Sequence, residues 1–181
     1  MNWREIPGSR SERPVSVAEL KEYIGLPEAY SSPLLETILD GAVAAVERHS
    51  GYATTRCQIE VWYDRVPASP VAIPQPPLID IDEAVLVDPE TGEEQALQPN
   101  EYTVTTNGRV VLIAVKNALM ITQRFRLRCT VGYASTREVP AELKLAILRT
   151  ALRCWEQKSV AIVPDLEPLV DTWLWQTWHK T

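Results

Sequence analysis

Catalysis or metal binding needs ionisable groups at defined spacings, and this chain offers few candidates. Its two histidines, His49 and His179, have no Cys, His or acidic partner at ligand spacing. His49 falls where a long helix should end, and there a histidine simply complements the helix dipole. Asp80, Asp82 and Glu83 can be read as paired carboxylates for acid–base work or for a divalent ion. Asp80 and Asp82 also alternate with Ile79 and Ile81, so they fit the solvated face of a half-buried strand, which is the reading adopted here. Cys129 and Cys154 fall on apolar faces and read as small buried hydrophobes, while Cys57 at a strand start is ambiguous. There is no glycine-rich phosphate loop, no Gly-x-Ser-x-Gly and no His-Glu-x-x-His, and the whole chain has seven glycines. No catalytic residue, metal site or cofactor is therefore assigned, and a non-enzyme is expected.

Two other constellations suit binding. Arg124, Arg126 and Arg128 form a period-2 basic stripe along one strand. It can meet DNA phosphates, or its charges can pair across a sheet or a subunit boundary. The second reading is preferred, with Asp80 and Asp82 as the alternating acidic counterpart. Exposed ion pairs contribute only ~0–1 kcal/mol each, so charge reversal at Arg126 is expected to affect assembly more than folding. Near the end of the chain, Trp173, Trp175 and Trp178 lie within six residues. Tryptophan is enriched where a few residues carry an interface. Pro164 and Pro168 interrupt the chain before them, so 161–181 reads as a docking segment, with folding back onto the body as the alternative.

The elements that must position these residues follow from periodicity. Residues 1–14 lack apolar spacing and read as a flexible N-terminal arm. Ser16 and Glu19 have capping-box spacing, which predicts a helix over 16–25. Ser32 and Pro33 open a helix over 33–50 whose apolar stripe runs from Leu34 to Val46 and which Gly51 closes. Alternation of Ile59, Val61 and Tyr63 with Gln58, Glu60 and Trp62 then predicts a strand at 58–63, and further strands are expected at 79–87, 102–104, 109–114 and 122–132. Asp88–Gly92 supplies one turn and Asn107-Gly108 another. A last helix over 141–158 leaves only Glu142, Arg149, Arg153 and Glu156 as a polar stripe, so it should be covered on more than one side. The expected fold is α+β: a helical bundle with an inserted antiparallel block of about five or six strands at 56–133, inside a domain spanning 15–160.

Bulk properties exclude several classes. With 45% hydrophobic residues in 181, the chain can bury a real core. The net charge is −6, and acids equal or outnumber bases in 1–55 (8 to 5), 56–133 (10 to 7) and 134–181 (6 to 6), so no part is basic enough for backbone-driven nucleic-acid binding. Three widely spaced cysteines make neither a disulfide framework nor a zinc site and suggest a reducing origin. The opening Met1–Pro7 lacks a signal peptide's apolar stretch, and no run approaches the ~20 apolar residues of a membrane span. Neither secretion by signal nor membrane anchoring is expected.

Several fragments, in order, resemble the head–tail connector (adaptor) family of long-tailed bacteriophages, with its relatives in prophages and gene transfer agents. They are Val15–Tyr23, Val46–Tyr52, Ile73–Leu78, Tyr102-Thr103-Val104, Thr130–Tyr133, and Val139–Lys144 leading to Trp155-Glu156. Together they cover roughly residues 15–160. The resemblance implies a structural protein of the particle neck, assembled in the host cytoplasm. It would form a closed ring of about twelve copies beneath the portal protein, extend the DNA channel, and offer a platform for the next neck or tail protein. Double-stranded DNA would pass through without specific binding. The arm and the Trp-rich terminus have no counterpart in the quoted fragments. Docking of Trp173, Trp175 and Trp178 on portal, and subunit contact through Arg124, Arg126, Arg128, Asp80 and Asp82, are separate expectations. The alternatives are another neck protein (a stopper or tail terminator), or a binding module or enzyme, which would show a deep polar pocket with converging ionisable groups.

Overall fold

The computed structural model describes residues 1–10, 12–67, 69–106, 111–116 and 123–157. Trp173, Trp175, Trp178 and His179, and the Asn107-Gly108 turn, lie outside the described residues. The rest divides into two units, one of helices (12–55 and 133–157) and one of strands (1–10 and 56–132).

The helical unit follows from caps and apolar stripes. Helix α1 (Val17–Ile24) starts at Ser16, whose hydroxyl accepts from the Glu19 amide at 3.1 Å while the Glu19 carboxylate accepts from the Ser16 amide at 2.6 Å. This reciprocal pairing satisfies two amides that a helix start otherwise leaves open, and it holds the Glu19 carboxyl below the usual carboxylate range. Helix α2 (Pro33–Ser50) is capped by Ser32 and stopped by Gly51, whose φ of +74° suits glycine and whose amide donates to the Glu47 carbonyl at 2.8 Å. Past that cap the buried Glu47 carboxylate accepts from both the amide and the hydroxyl of Thr54, at 2.7 and 2.6 Å. Helix α3 (Ala141–Gln157) buries Leu143, Ala146, Ile147, Ala151 and Cys154 in a common core with Leu35, Leu39, Ala42 and Val46 of α2 and Leu20 of α1. Each such aliphatic side chain contributes roughly 1.5–3 kcal/mol when fully buried.

The strand unit holds eight strands: β1 (Asn2–Glu5), β2 (Cys57–Tyr63), β3 (Val71–Ala72), β4 (Leu78–Val87), β5 (Glu94–Ala96), β6 (Tyr102–Thr106), β7 (Val111–Val115) and β8 (Arg124–Val131). They form a five-stranded sheet, β1-β2-β8-β4-β5, and a three-stranded sheet, β3-β7-β6, with every pair antiparallel. With the helices on either side in sequence, the fold is α+β. The strands outnumber the five or six expected because β3 and β5 have two and three residues, too few for alternation to register.

The flexible arm is corrected by the structure. Asn2–Glu5 forms the edge strand β1, and residues 6–10 remain tied to β2: the Ile6 amide donates to the Gln58 carbonyl at 2.8 Å, and the Gln58 amide donates to the Ser9 hydroxyl at 3.0 Å. An edge strand laid beside an existing sheet needs no apolar period of its own, which is why the composition of 1–14 looked disordered. In the helical unit, Arg13 makes a bidentate pair with Asp40 at 2.7 and 3.0 Å, and Val15 is buried.

Candidate functional site

Strand β8 is central, and its alternation sorts the chemistry of the five-stranded sheet. Phe125, Leu127, Cys129 and Val131 stand opposite Tyr63, Val61, Ile59 and Cys57 of β2, and all eight are buried. On this face Phe125 stacks on Tyr63 with ring centroids 5.8 Å apart. Burial pushes the Cys129 thiol up to about 12, so it stays protonated at neutral pH. All three cysteines, Cys57 among them, are buried.

The opposite face carries the arginine stripe. Arg128 stands opposite Glu60, and Arg126 opposite Trp62, on β2; on β4, Glu83 stands opposite Arg128. Arg126 makes a bidentate pair with Glu94 of β5 at 2.6 and 2.7 Å and lies 3.5 Å from Glu83, and its guanidinium sits 5.4 Å over the Trp62 ring. Arg128 lies 3.7 Å from both Glu60 and Glu83. Arg4 of β1 completes the row, donating to Glu60 at 2.8 Å. Bases and acids therefore alternate across the sheet as Arg4, Glu60, Arg128, Glu83, Arg126, Glu94, so Arg126 and Arg128 are neutralised in place.

Glu60 is the buried member of this row, its side chain only 8% exposed. The Trp62 indole donates to it at 2.9 Å; that bond, with the Arg4 guanidinium, holds its carboxyl below the usual range. Glu94 raises the Arg126 guanidinium in turn.

Strands β4 and β8 are neighbours, but Asp80 and Asp82 do not pair with the arginines. The register slips between Leu78 and Asp80 and again between Ile81 and Glu83. A bulge inserts one residue and re-aims its neighbours, so Glu83 rather than Asp82 comes level with Arg128. Asp82 instead accepts from the Thr130 hydroxyl at 2.8 Å and from the Gln58 side chain at 3.4 Å, while Asp80 accepts from the Ile81 amide. Arg124 is exposed at the end of the stripe. Sequence reasoning missed Glu60, Trp62, Glu94 and Arg4 as partners. The alternation of Gln58, Glu60 and Trp62 in β2 was the available signal for two of them; Arg4 and Glu94 sit in strands too short to announce themselves.

A surface depression of about 450 Å³ in the helical unit is lined by Glu12, Arg13, Ser16, Glu19 and Lys144. Its Arg13 is held by Asp40 and Glu36, and its Glu19 by the α1 cap. These are structural commitments rather than a converging set. His49 sits in the last turn of α2. Among the described residues no helix is long and apolar enough to cross a membrane.

No family model matches the sequence, and no curated protein does. Solved structures do. The chain is similar to one in the virion of a native gene transfer agent particle, with a TM-score of 0.76, 22% identity, and 96% of this chain and 95% of that one covered. It is similar to one in the neck of an empty gene transfer agent particle computed with C6 symmetry (TM-score 0.76, 19% identity, 96% and 95% covered). A third match is to a chain in the neck of the native particle computed with C12 symmetry (TM-score 0.71, 21% identity, 96% and 94% covered).

Proposed function

We propose that this chain, which shares the whole fold of a gene transfer agent neck component, is a structural neck protein of such a particle. In this reading it is the head–tail connector: a non-enzymatic ring of about twelve copies under the portal protein that lengthens the DNA channel and carries the next neck or tail protein. The observation that carries the reading is the match over 96% of this chain to chains in particle necks, one computed with C6 and one with C12 symmetry.

The neutralised sheet face supports the same role. A channel protein must let DNA slide, and Arg126 and Arg128 already have acidic partners within 4 Å, so they have little charge to offer phosphates. The exposed members of that face, Arg124, Asp80 and Asp82, are the ones with room to meet a neighbouring copy. Trp173, Trp175 and Trp178 are proposed to dock on portal, because aromatic anchors give large contact area for little side-chain entropy.

Electron microscopy of the protein mixed with the portal protein from the same gene cluster tests the reading. Stacked rings are expected. Deleting 165–181 is expected to leave a folded protein that no longer binds portal. A truncated chain that binds normally removes the tryptophan segment from the interface, and a full-length chain that never associates with portal overturns the connector role.

A further inference from the structure

Among the described strands four stand at sheet edges, and three of these are guarded against pairing with another chain while one is not. Edge β1 has four residues and presents Arg4 and Glu5; edge β5 has three residues and presents Glu94; edge β3 has two residues between Pro70 and Pro74. Short length, charge and proline are the usual means of blunting an edge. Edge β6 has none of them. It is Tyr102-Thr103-Val104-Thr105-Thr106, five uncharged residues of high strand propensity, four of them exposed, with Val104 41% exposed.

The ladder with β7 fixes which backbone groups point outward. The Lys116 amide donates to the Glu101 carbonyl at 2.8 Å, so the hydrogen-bonded pairs of this antiparallel ladder are Glu101 with Lys116, Thr103 with Ala114, and Thr105 with Leu112. The Val111 carbonyl accordingly faces away from β6 and accepts from the Ile73 amide at 2.7 Å. The amides and carbonyls of Tyr102 and Val104 therefore point away from β7, and no described strand pairs with them.

We infer that β6 is completed by strand addition from a second copy of this chain, through the segment Ser159-Val160-Ala161-Ile162-Val163 that follows α3. This rests on the ring proposed above. The segment lies outside the described residues, but its sequence matches what the edge requires. It is uncharged, rich in β-branched residues, equal in length to β6, and bounded by Lys158 and Pro164. Addition of an extended segment to an open edge draws affinity from main-chain hydrogen bonds and needs no charge complementarity. In a cyclic ring each copy would give one strand and receive one, a head-to-tail contact that closes.

Val104→Pro removes one outward amide and leaves the β7 ladder bonds in place, and Val104→Lys adds an edge charge without any backbone change. Both are expected to melt like the parent full-length chain and to lose ring formation on portal. In a mixture of Val104→Cys chains with Ile162→Cys chains, oxidation of assembled rings is expected to give a disulfide-linked dimer. Rings that form normally from both Val104 variants, or that yield no dimer, overturn the inference while leaving the connector reading intact. So does a Val104→Cys/Ile162→Cys double variant that cross-links within single chains. A parent chain that forms no ring on portal overturns the connector reading and this inference with it.

Discussion

The helical and strand units bury their residues by different rules. In the helical unit the shared core of α1, α2 and α3 is aliphatic, and its buried polar groups are confined to helix ends and hydroxyls, such as Glu47 in the last turn of α2 and Thr150, which donates to the Ala146 carbonyl. In the strand unit the five-stranded sheet has one apolar face, and the other carries an alternating row of acids and bases in which Glu60 is buried between Arg4 and Arg128. A foreign charge thus finds no partner among the helices, whereas on the sheet the loss of one polar group strands another.

The largest effect should follow from breaking the first rule. Ile147 is fully buried among apolar side chains, and Ile147→Asp places a carboxylate there with no cation at hand. The expected cost is about 4 kcal/mol or more, enough to unfold a domain of ordinary stability. Circular dichroism and urea titration check it; a cooperative transition at the parent midpoint would mean that α3 does not hold Ile147 in a core.

A smaller effect tests the second rule. Trp62→Phe keeps a ring under Arg126 but removes the indole donor to the buried Glu60 carboxylate. A hydrogen bond to a charged group contributes ~1.5–3 kcal/mol, and a loss of that size in urea is expected. The pH dependence has a defined sign. Glu60 titrates below its ordinary value in the folded chain, so the stability it contributes is fully present above the usual glutamate range and is lost as pH falls through the lowered value. Trp62→Phe should therefore differ most from the parent at neutral pH, and the gap should narrow on acidification. A gap that stays constant from pH 7 to pH 3 would assign the loss to packing instead of to the carboxylate.

The same contrast explains what was legible in the sequence. Helices announce themselves through local rules: Ser16 with Glu19, Ser32 with Pro33, and Gly51 set boundaries that the structure keeps, because capping depends on neighbours in the chain. The longer strands were legible by alternation, as were the buried face of β8 and the adjacency of acidic and basic strands. Register was not. Two bulges in β4 decide that Glu83 and not Asp82 meets Arg128, and a bulge answers to the twist of the assembled sheet rather than to its own residues. Strand β1 was hidden for a related reason, since Asn2–Glu5 is ordered by β2, about 55 positions away along the chain.

The smallest expected effect on stability separates structural charge from contact charge. Arg126 is 14% exposed between Glu83 and Glu94, so Arg126→Glu sets three carboxylates together and should weaken the fold itself, contrary to the reading of Arg126 as chiefly an assembly residue. Arg124 is exposed at the end of the same stripe, where charges are well solvated. Arg124→Glu should change stability by no more than about 0.5 kcal/mol. If the exposed end of the stripe meets a neighbouring copy, that variant will fold as the parent does yet form fewer rings on portal, and the defect will deepen as ionic strength falls, because like charges at a contact repel more strongly when less screened. Thermal melts and ring counts by electron microscopy at two salt concentrations read both quantities. Equal ring counts for parent and Arg124→Glu at both salts would confine the role of the stripe to the interior of the sheet.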